Sequence, residues 1–215
     1  RKARSKGIPV LGSGQIYPFE EEALKVAPFP LPRHFARCFG FDSDAGAGWT
    51  AAVWLAHDRD TGTVYLYDSY KSDERAKAVH VEAIKARGAW IPGVGDAAGL
   101  VVTERDSAQV IDVYRAAGLD VQLPNKAVEV GLLKTYDLMA ARRLRVFSTC
   151  TNWFEEFRTY HRKDGKVVKT NDHLMDATRY AIMSGMERER VEPEPQGTRR
   201  RTVDLTHGAT GWLGM

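Results

Sequence analysis

Long apolar runs are missing from this chain. No stretch approaches the roughly eighteen consecutive apolar residues that a membrane-spanning helix needs, and mean hydropathy is −0.38. Cysteine is scarce: Cys38 and Cys150 are the whole supply in 215 residues. Two cysteines cannot make a disulfide framework and show no metal-binding spacing, so a reducing, intracellular compartment is expected. No apolar stretch follows Arg1-Lys2-Ala3-Arg4-Ser5-Lys6, so no secretory signal is expected. The chain opens on Arg rather than Met, and we expect it to be a piece of a longer polypeptide. Charge of one sign is not in large excess either. With 31 Lys and Arg against 28 Asp and Glu, the net charge is +3, which permits a nucleic-acid partner without requiring one. Several catalytic signatures are absent: GxSxG, HExxH and the Walker A loop GxxxxGK[ST]. Gly46–Ala51 and Gly93–Ala98 match the loose GxGxxA pattern, but neither opens a convincing helix, so dinucleotide binding is not expected.

What is present suffices for one sizeable domain with a tail, since 43% of residues are hydrophobic and 10% aromatic. Residues 1–33 are poorly periodic, hold five of the nine prolines and read as a lead-in that wraps over something else. Ala36–Asp42, Trp49–His57 and Thr63–Tyr70 read as three strands joined by short connections, an antiparallel meander; in the third, Val64 and Leu66 alternate with Tyr65 and Tyr67. Helices follow at Arg75–Arg87, Ser107–Ala117, Val128–Arg142, Asn152–Tyr160 and Asp172–Met186, with short strands at Ala89–Asp96, Val121–Leu123 and Leu144–Phe147. Arg162–Thr170 reads as a hairpin turning at Asp164-Gly165. Beyond Glu187 apolar anchors are few. The order gives an α/β fold with a mixed sheet flanked by helices, and it resembles the order in ribonuclease H-like folds.

Three acidic positions stand out. Asp42 ends the apolar run Phe39-Gly40-Phe41, where a buried carboxylate needs a cation, a metal or backbone donors. Asp96 sits among small residues, Gly93-Val94-Gly95 before it and Ala97-Ala98-Gly99 after it, which allow close approach of a ligand. Asp176 lies on the last helix at the edge of its apolar stripe, sharing a face with His173 and with Tyr180. Asn171 or Asp172 is available as the N-cap of that helix. Each aspartate also has a plain reading, a turn residue or a solvated carboxylate. A cluster of aspartates with one histidine favours hard divalent cations, Mg²⁺ or Mn²⁺, over Zn²⁺. Two such ions about 3.5–4 Å apart can activate a water and stabilise the leaving oxygen in phosphodiester cleavage.

The lead-in Gly12-Ser13-Gly14-Gln15-Ile16-Tyr17-Pro18, the strand end Phe41-Asp42, the pair Gly95-Asp96 and the helix Asp172–Ala181 together resemble the nuclease domain of the large terminase subunit. That family forms the DNA-packaging motors of tailed double-stranded DNA phages. The resemblance covers about residues 8–187 and implies a metal-dependent endonuclease that cuts concatemeric viral DNA during packaging. It implies Asp42, Asp96 and Asp176 as the metal-binding catalytic triad, with His173 auxiliary. Asp44 and Asp172 stand beside the expected ligands and could share a metal. It also implies an ATPase domain before Arg1, double-stranded DNA, the small terminase subunit and the portal protein as partners, and the host cytoplasm as the location. The domains are then a lead-in at 1–33, the nuclease at 34–187 and a tail at 188–215.

Resolvases and transposases share this fold and acidic chemistry, and a DNA-clamping or portal-docking module with structural carboxylates is the non-catalytic alternative. For DNA contact at phosphates, the sequence offers Arg142, Arg143 and Arg145, and Lys163, Lys166 and Lys169. The tail, with Arg199–Arg201 and a Trp212-Leu213 pair, is expected to contact the portal and to play no part in cleavage.

Overall fold

The computed structural model describes residues 14–43, 49–96 and 111–194. Short elements come first: β1 (Gly14–Gln15), α1 (Glu21–Leu24) and β2 (Lys25–Val26). The expected meander follows as β3 (Ala36–Ser43), β4 (Thr50–Asp58) and β5 (Thr63–Ser72). Its alternation holds in β5, where Val64 and Leu66 are buried. The β4–β5 turn is closed by Asp58, whose carboxylate accepts the Asp60 N–H at 3.1 Å and the Thr61 hydroxyl at 2.7 Å. Then come α2 (Lys77–Lys85), β6 (Gly93–Asp96), a helix described over 111–116 (α3), β7 (Val121–Gln122), α4 (Val128–Ala140) and β8 (Leu144–Phe147). The chain continues through α5 (Thr151–Thr159), β9 (His161–Lys163), β10 (Lys166–Val167) and α6 (His173–Tyr180).

The described strands form a seven-stranded sheet in the order β2-β8-β5-β4-β3-β6-β7 and a small sheet β1-β9-β10. Pairing is antiparallel within the meander and parallel at β3–β6, β6–β7, β5–β8 and β2–β8. Helices cover both faces, as parallel pairing requires. Phe39, Phe41, Trp54, Val81, Ile84, Ile111 and Tyr114 pack on one face, under α2 and α3. Val53, Leu55, Leu66, Leu132, Val146, Trp153, Phe157, Leu174 and Ala177 pack on the other, under α4, α5 and α6. Each of the Val, Leu, Ile and Phe side chains among them contributes about 1.5–3 kcal/mol on burial. Among the described residues no helix is long and apolar enough to cross a membrane.

Several boundaries differ from the sequence reading. Residues read as a wrapping lead-in contribute strands to both sheets, and Ile16, Tyr17 and Leu24 are buried in the core. Elements of two to four residues leave no periodicity to detect. The strand expected from Ala89 begins only at Gly93, after a turn in which the Ile91 N–H donates to Gly88. Helix α4 stops at Ala140, just before Arg142 takes a φ of 56°. The last helix is α-helical only to Tyr180; Ala181–Gly185 is a π-helical turn and Met186–Arg188 a 3₁₀ turn. The hairpin turns where expected, with Asp164 and Gly165 at φ 50° and 76°, the positive pair that a two-residue loop favours.

Helix α6 lies across β3 and β4, and Gly40 is what lets it come so close. A Cβ at Gly40 would fall on the Ala177 carbonyl oxygen and stand 2.8 Å from the Ala181 nitrogen. Backbone cannot yield there as a flexible side chain could, so overpacking should be costly. We expect Gly40→Val to lower stability by at least about 2 kcal/mol in urea unfolding. A variant as stable as the parent would show that the helix does not sit on this glycine.

Candidate metal centre

The sheet brings the first two aspartates together. Asp42 and Asp96 are Cα partners on the adjacent parallel strands β3 and β6, roughly 4.8 Å apart across the sheet. Both stand at the C-terminal ends of their strands, Asp42 one residue before the end of β3 and Asp96 as the last residue of β6. Helix α6, seated on Gly40, carries the remaining groups above β3. His173 Nδ1 lies 2.9 Å from Asp42 Oδ2, and Asp176 is buried with 6% exposure. Tyr180 ends α6, four residues after Asp176. Burial, and then the charges of Asp176, Asp42 and Asp96, hold its hydroxyl far above the usual phenol range.

Cations answer this negative charge. Lys169 Nζ stands between two carboxylates, 2.6 Å from Asp176 Oδ2 and 3.0 Å from Asp172 Oδ2. Arg179, 2% exposed, places Nη2 3.1 Å from Asp176 Oδ1. Lys126 Nζ is 2.9 Å from Asp96 Oδ2. Burial works against the Lys169 ammonium, but Asp176 and Asp172 outweigh it and raise its pKa. For Arg179 the same opposition ends the same way, with Asp176 holding the charge. Asp42 is pushed up to about 6, chiefly by burial, with Asp176 and Asp172 adding to the rise and the His173 hydrogen bond opposing it.

Asp42, Asp96, Asp172, Asp176 and the His173 imidazole thus sit at one end of β3 and β6 and on the start of α6, although their ligand atoms do not form a group within 4.8 Å of one another as His34, Asp58 and Asp60 do. That donor set fits a hard divalent cation. Lys169 supports the fit, because an ammonium bridging Asp172 and Asp176 marks where positive charge is stabilised.

Asp172 differs from the sequence reading. It occupies the N-cap position of α6 yet makes no side-chain cap bond; its side chain is 8% exposed and turned to Lys169. Asp44 lies outside the described residues. The basic groups separate. Lys169 is in the cluster, and Lys163 and Lys166 are exposed on the hairpin, which is tied to α4 by Arg162–Glu129 at 2.6 Å. Arg142, Arg143 and Arg145 are elsewhere. Leu144 pairs with Val64, whereas Asp42 is level with Ala51 and Lys71, seven residues or roughly 23 Å further along the strand. Arg143 and Arg145 donate there to the carbonyls of Gly62 and Ala23. His34, Asp58 and Asp60 are a group of described residues whose ligand atoms lie within 4.8 Å of one another. That group is also at the far end of β4, and Asp58 already closes the turn there.

Sequence reasoning missed Lys126, Arg179 and Glu156. Lys126 follows Pro124-Asn125 in a connecting segment with no pattern. Arg179 was readable as helix spacing, three residues after Asp176, but its burial depends on α4: a Cβ on Gly131 would meet the Arg179 stem. Glu156, 3% exposed on α5, lies between the aromatic residues of a core stripe, and no local pattern singles it out.

A family model described as the terminase RNaseH-like domain matches residues 39–184, more than half of the chain. The large terminase subunit of Salmonella phage P22 is 37% identical over 196 residues, which are 85% of this chain and 38% of that protein. The chain therefore spans well under half the length of this curated relative. The structure of the P22 large terminase nuclease domain superposes with a TM-score of 0.76 at 34% identity, covering 85% of this chain and 97% of that one. The large terminase nuclease of thermophilic phage G20c with bound magnesium gives 0.56 at 14% identity, covering 79% and 97%; that likeness shows the fold alone.

The raised pKa of Asp42 has a consequence for stability. Folded Asp42 keeps its proton up to about pH 6, while the unfolded chain loses it near 3.8. Between those values the folded state binds more protons, so rising pH removes stability, by about 2–3 kcal/mol at most from this group. In EDTA, urea unfolding from pH 4 to 7 should show a less negative slope for Asp42→Asn than for the parent. Identical slopes would contradict the half-buried, ionisable Asp42 described above.

Proposed function

The chain belongs to the terminase RNaseH-like domain family, and we propose that it is a divalent-metal-dependent DNA endonuclease whose metal ligands are Asp42, Asp96 and Asp176. The observation that carries the reading is the in-register pairing of Asp42 with Asp96 beneath the helix that supplies Asp176. The magnesium in the G20c nuclease supports the choice of Mg²⁺ or Mn²⁺, and four carboxylates are donors enough for two ions. When bound, such ions would polarise a phosphoryl oxygen and make a bound water acidic enough to attack.

The chain's own residues do the rest. Asp42 and Asp96 offer oxygens from a rigid sheet, which preorganises them. Arg179 occupies Asp176 Oδ1 and leaves Oδ2 for a cation. His173 orients Asp42 through its 2.9 Å contact. Lys169 now neutralises Asp172 and Asp176 and would turn to a phosphate when a metal takes its place. DNA lies across this corner, held at phosphates by Lys126, Lys163, Lys166 and Lys169 without base reading. The substrate is double-stranded viral DNA in concatemeric form, cut in the host cytoplasm during packaging. The small terminase subunit and the portal protein are the partners of the whole protein. The tail, of which only 188–194 is described, serves the portal rather than cleavage.

Plasmid DNA should be nicked or cut with Mg²⁺ or Mn²⁺ and left intact in EDTA. Asp42→Asn, Asp96→Asn and Asp176→Asn should each slow cleavage about 100-fold or more with the fold retained. Cleavage undiminished by chelation would refute the mechanism, and an active Asp176→Asn beside an inactive Asp172→Asn would move the third ligand. For DNA binding, Lys163→Ala with Lys166→Ala should weaken retention and lower the salt slope by roughly two. Arg142→Ala should leave both unchanged. The reverse result would put DNA on the far end of the sheet.

A further inference from the structure

Helix α6 begins without help from its own N-cap. Asp172 is the residue type that ordinarily accepts the first free amides of a helix, yet its side chain makes no such bond. The acceptor comes from another helix. Glu156 Oε2, on α5, accepts the Leu174 N–H at 2.7 Å and lies 3.4 Å from the Met175 nitrogen. Its other oxygen, Oε1, accepts from Lys71 Nζ at 2.7 Å. Both partners are well enclosed, with side chains 3% and 12% exposed. Lys71 lies on the same row of the sheet as Asp42, two strands away through Ala51.

Burying an ion pair carries a desolvation cost that a local Asp cap would avoid. The arrangement does something a local cap could not. We propose that Glu156 is a positioning residue for the acidic centre: by capping α6 in place of Asp172, it releases the Asp172 carboxylate to the cation site. The negative carboxylate also suits the positive end of the helix. Through Lys71 it ties α6 to β5, and the Trp153 Nε1 bond to Thr178 Oγ1 at 2.9 Å fixes α5 to α6 a turn further on. The direction in which His173 and Asp176 face the sheet is set by the same contacts. This rests on reading the acidic corner as a cation site, but the exchange of caps can be observed without any metal.

The test uses the chain as it stands, with Glu156→Ala, Glu156→Gln and Asp172→Asn. In a crystal structure of Glu156→Ala grown in EDTA, the Asp172 carboxylate should have left Lys169 and accepted the Leu174 N–H. Asp172 still on Lys169 above an uncapped helix overturns the proposal, whatever the protein's activity proves to be. In Mn²⁺ titrations followed by electron paramagnetic resonance, Glu156→Ala should bind about tenfold more weakly. Added to Asp172→Asn, it should cost little more, because both changes remove the same carboxylate from the site. Losses that simply multiply, or a lower melting temperature with unchanged Mn²⁺ affinity, also overturn it. Glu156→Gln keeps an acceptor for the amides and covers the case in which the alanine variant does not fold. It should leave Asp172 in place and Mn²⁺ affinity within about threefold of the parent. A glutamine variant with Asp172 swung onto the helix would refute the capping role.

Discussion

Like charges crowded into a low-dielectric corner repel, and four carboxylates gathered at the ends of β3 and β6 and the start of α6 are the constraint on which this structure turns. Left alone, such groups would take up protons or move apart. Here Asp42 is driven toward protonation, while Lys126, Lys169 and Arg179 neutralise the others. The cations are of two kinds. Arg179 is sealed between α4 and α6 and is part of the packing. Lys169 and Lys126 reach in from exposed segments, with side chains 58% and 46% exposed, and can leave without disturbing the core. Arg179 is thus a built-in counter-charge, and Lys169 and Lys126 are solvent-accessible ones.

That geometry depends on contacts well outside the cluster. Gly40 lets α6 down onto β3, Gly131 makes room for the Arg179 stem, and Glu156 caps the helix that carries His173 and Asp176. None of these residues offers an atom to a metal. Gly40 sets α6 against β3, and Gly131 and Glu156 set α4 and α5 against α6; a site made of short aspartates needs its elements held that closely.

Much of this was legible before the fold was known. The meander was readable because Val64 and Leu66 alternate with Tyr65 and Tyr67, and the hairpin because Asp164-Gly165 can adopt two positive φ angles. Asp42 and Asp176 were legible from position alone, one closing an apolar strand and the other at the edge of an apolar helical stripe. What stayed hidden depends on long-range pairing. Glu156 sits 18 positions before the amide it caps, and Lys126 belongs to a connecting segment. Asp172 reads as a cap by every local rule and fails to be one only because a distant carboxylate arrives first. Arg142, Arg143 and Arg145 form a basic run like any other in sequence, but the parallel β5–β8 pairing carries them to the far end of the sheet. That Ile16, Tyr17 and Leu24 belong to the core was not legible, because a segment whose elements are two to four residues long carries no period.

The central claim, that Asp42, Asp96 and Asp176 are built to hold divalent cations, is tested most directly by anomalous diffraction from crystals soaked in Mn²⁺. Manganese peaks within coordination distance of those three carboxylates, with the Lys169 ammonium displaced from Asp176, are the expected result. Manganese at His34, Asp58 and Asp60 instead, or no peak at the triad with Lys169 still in place at saturating Mn²⁺, would contradict it.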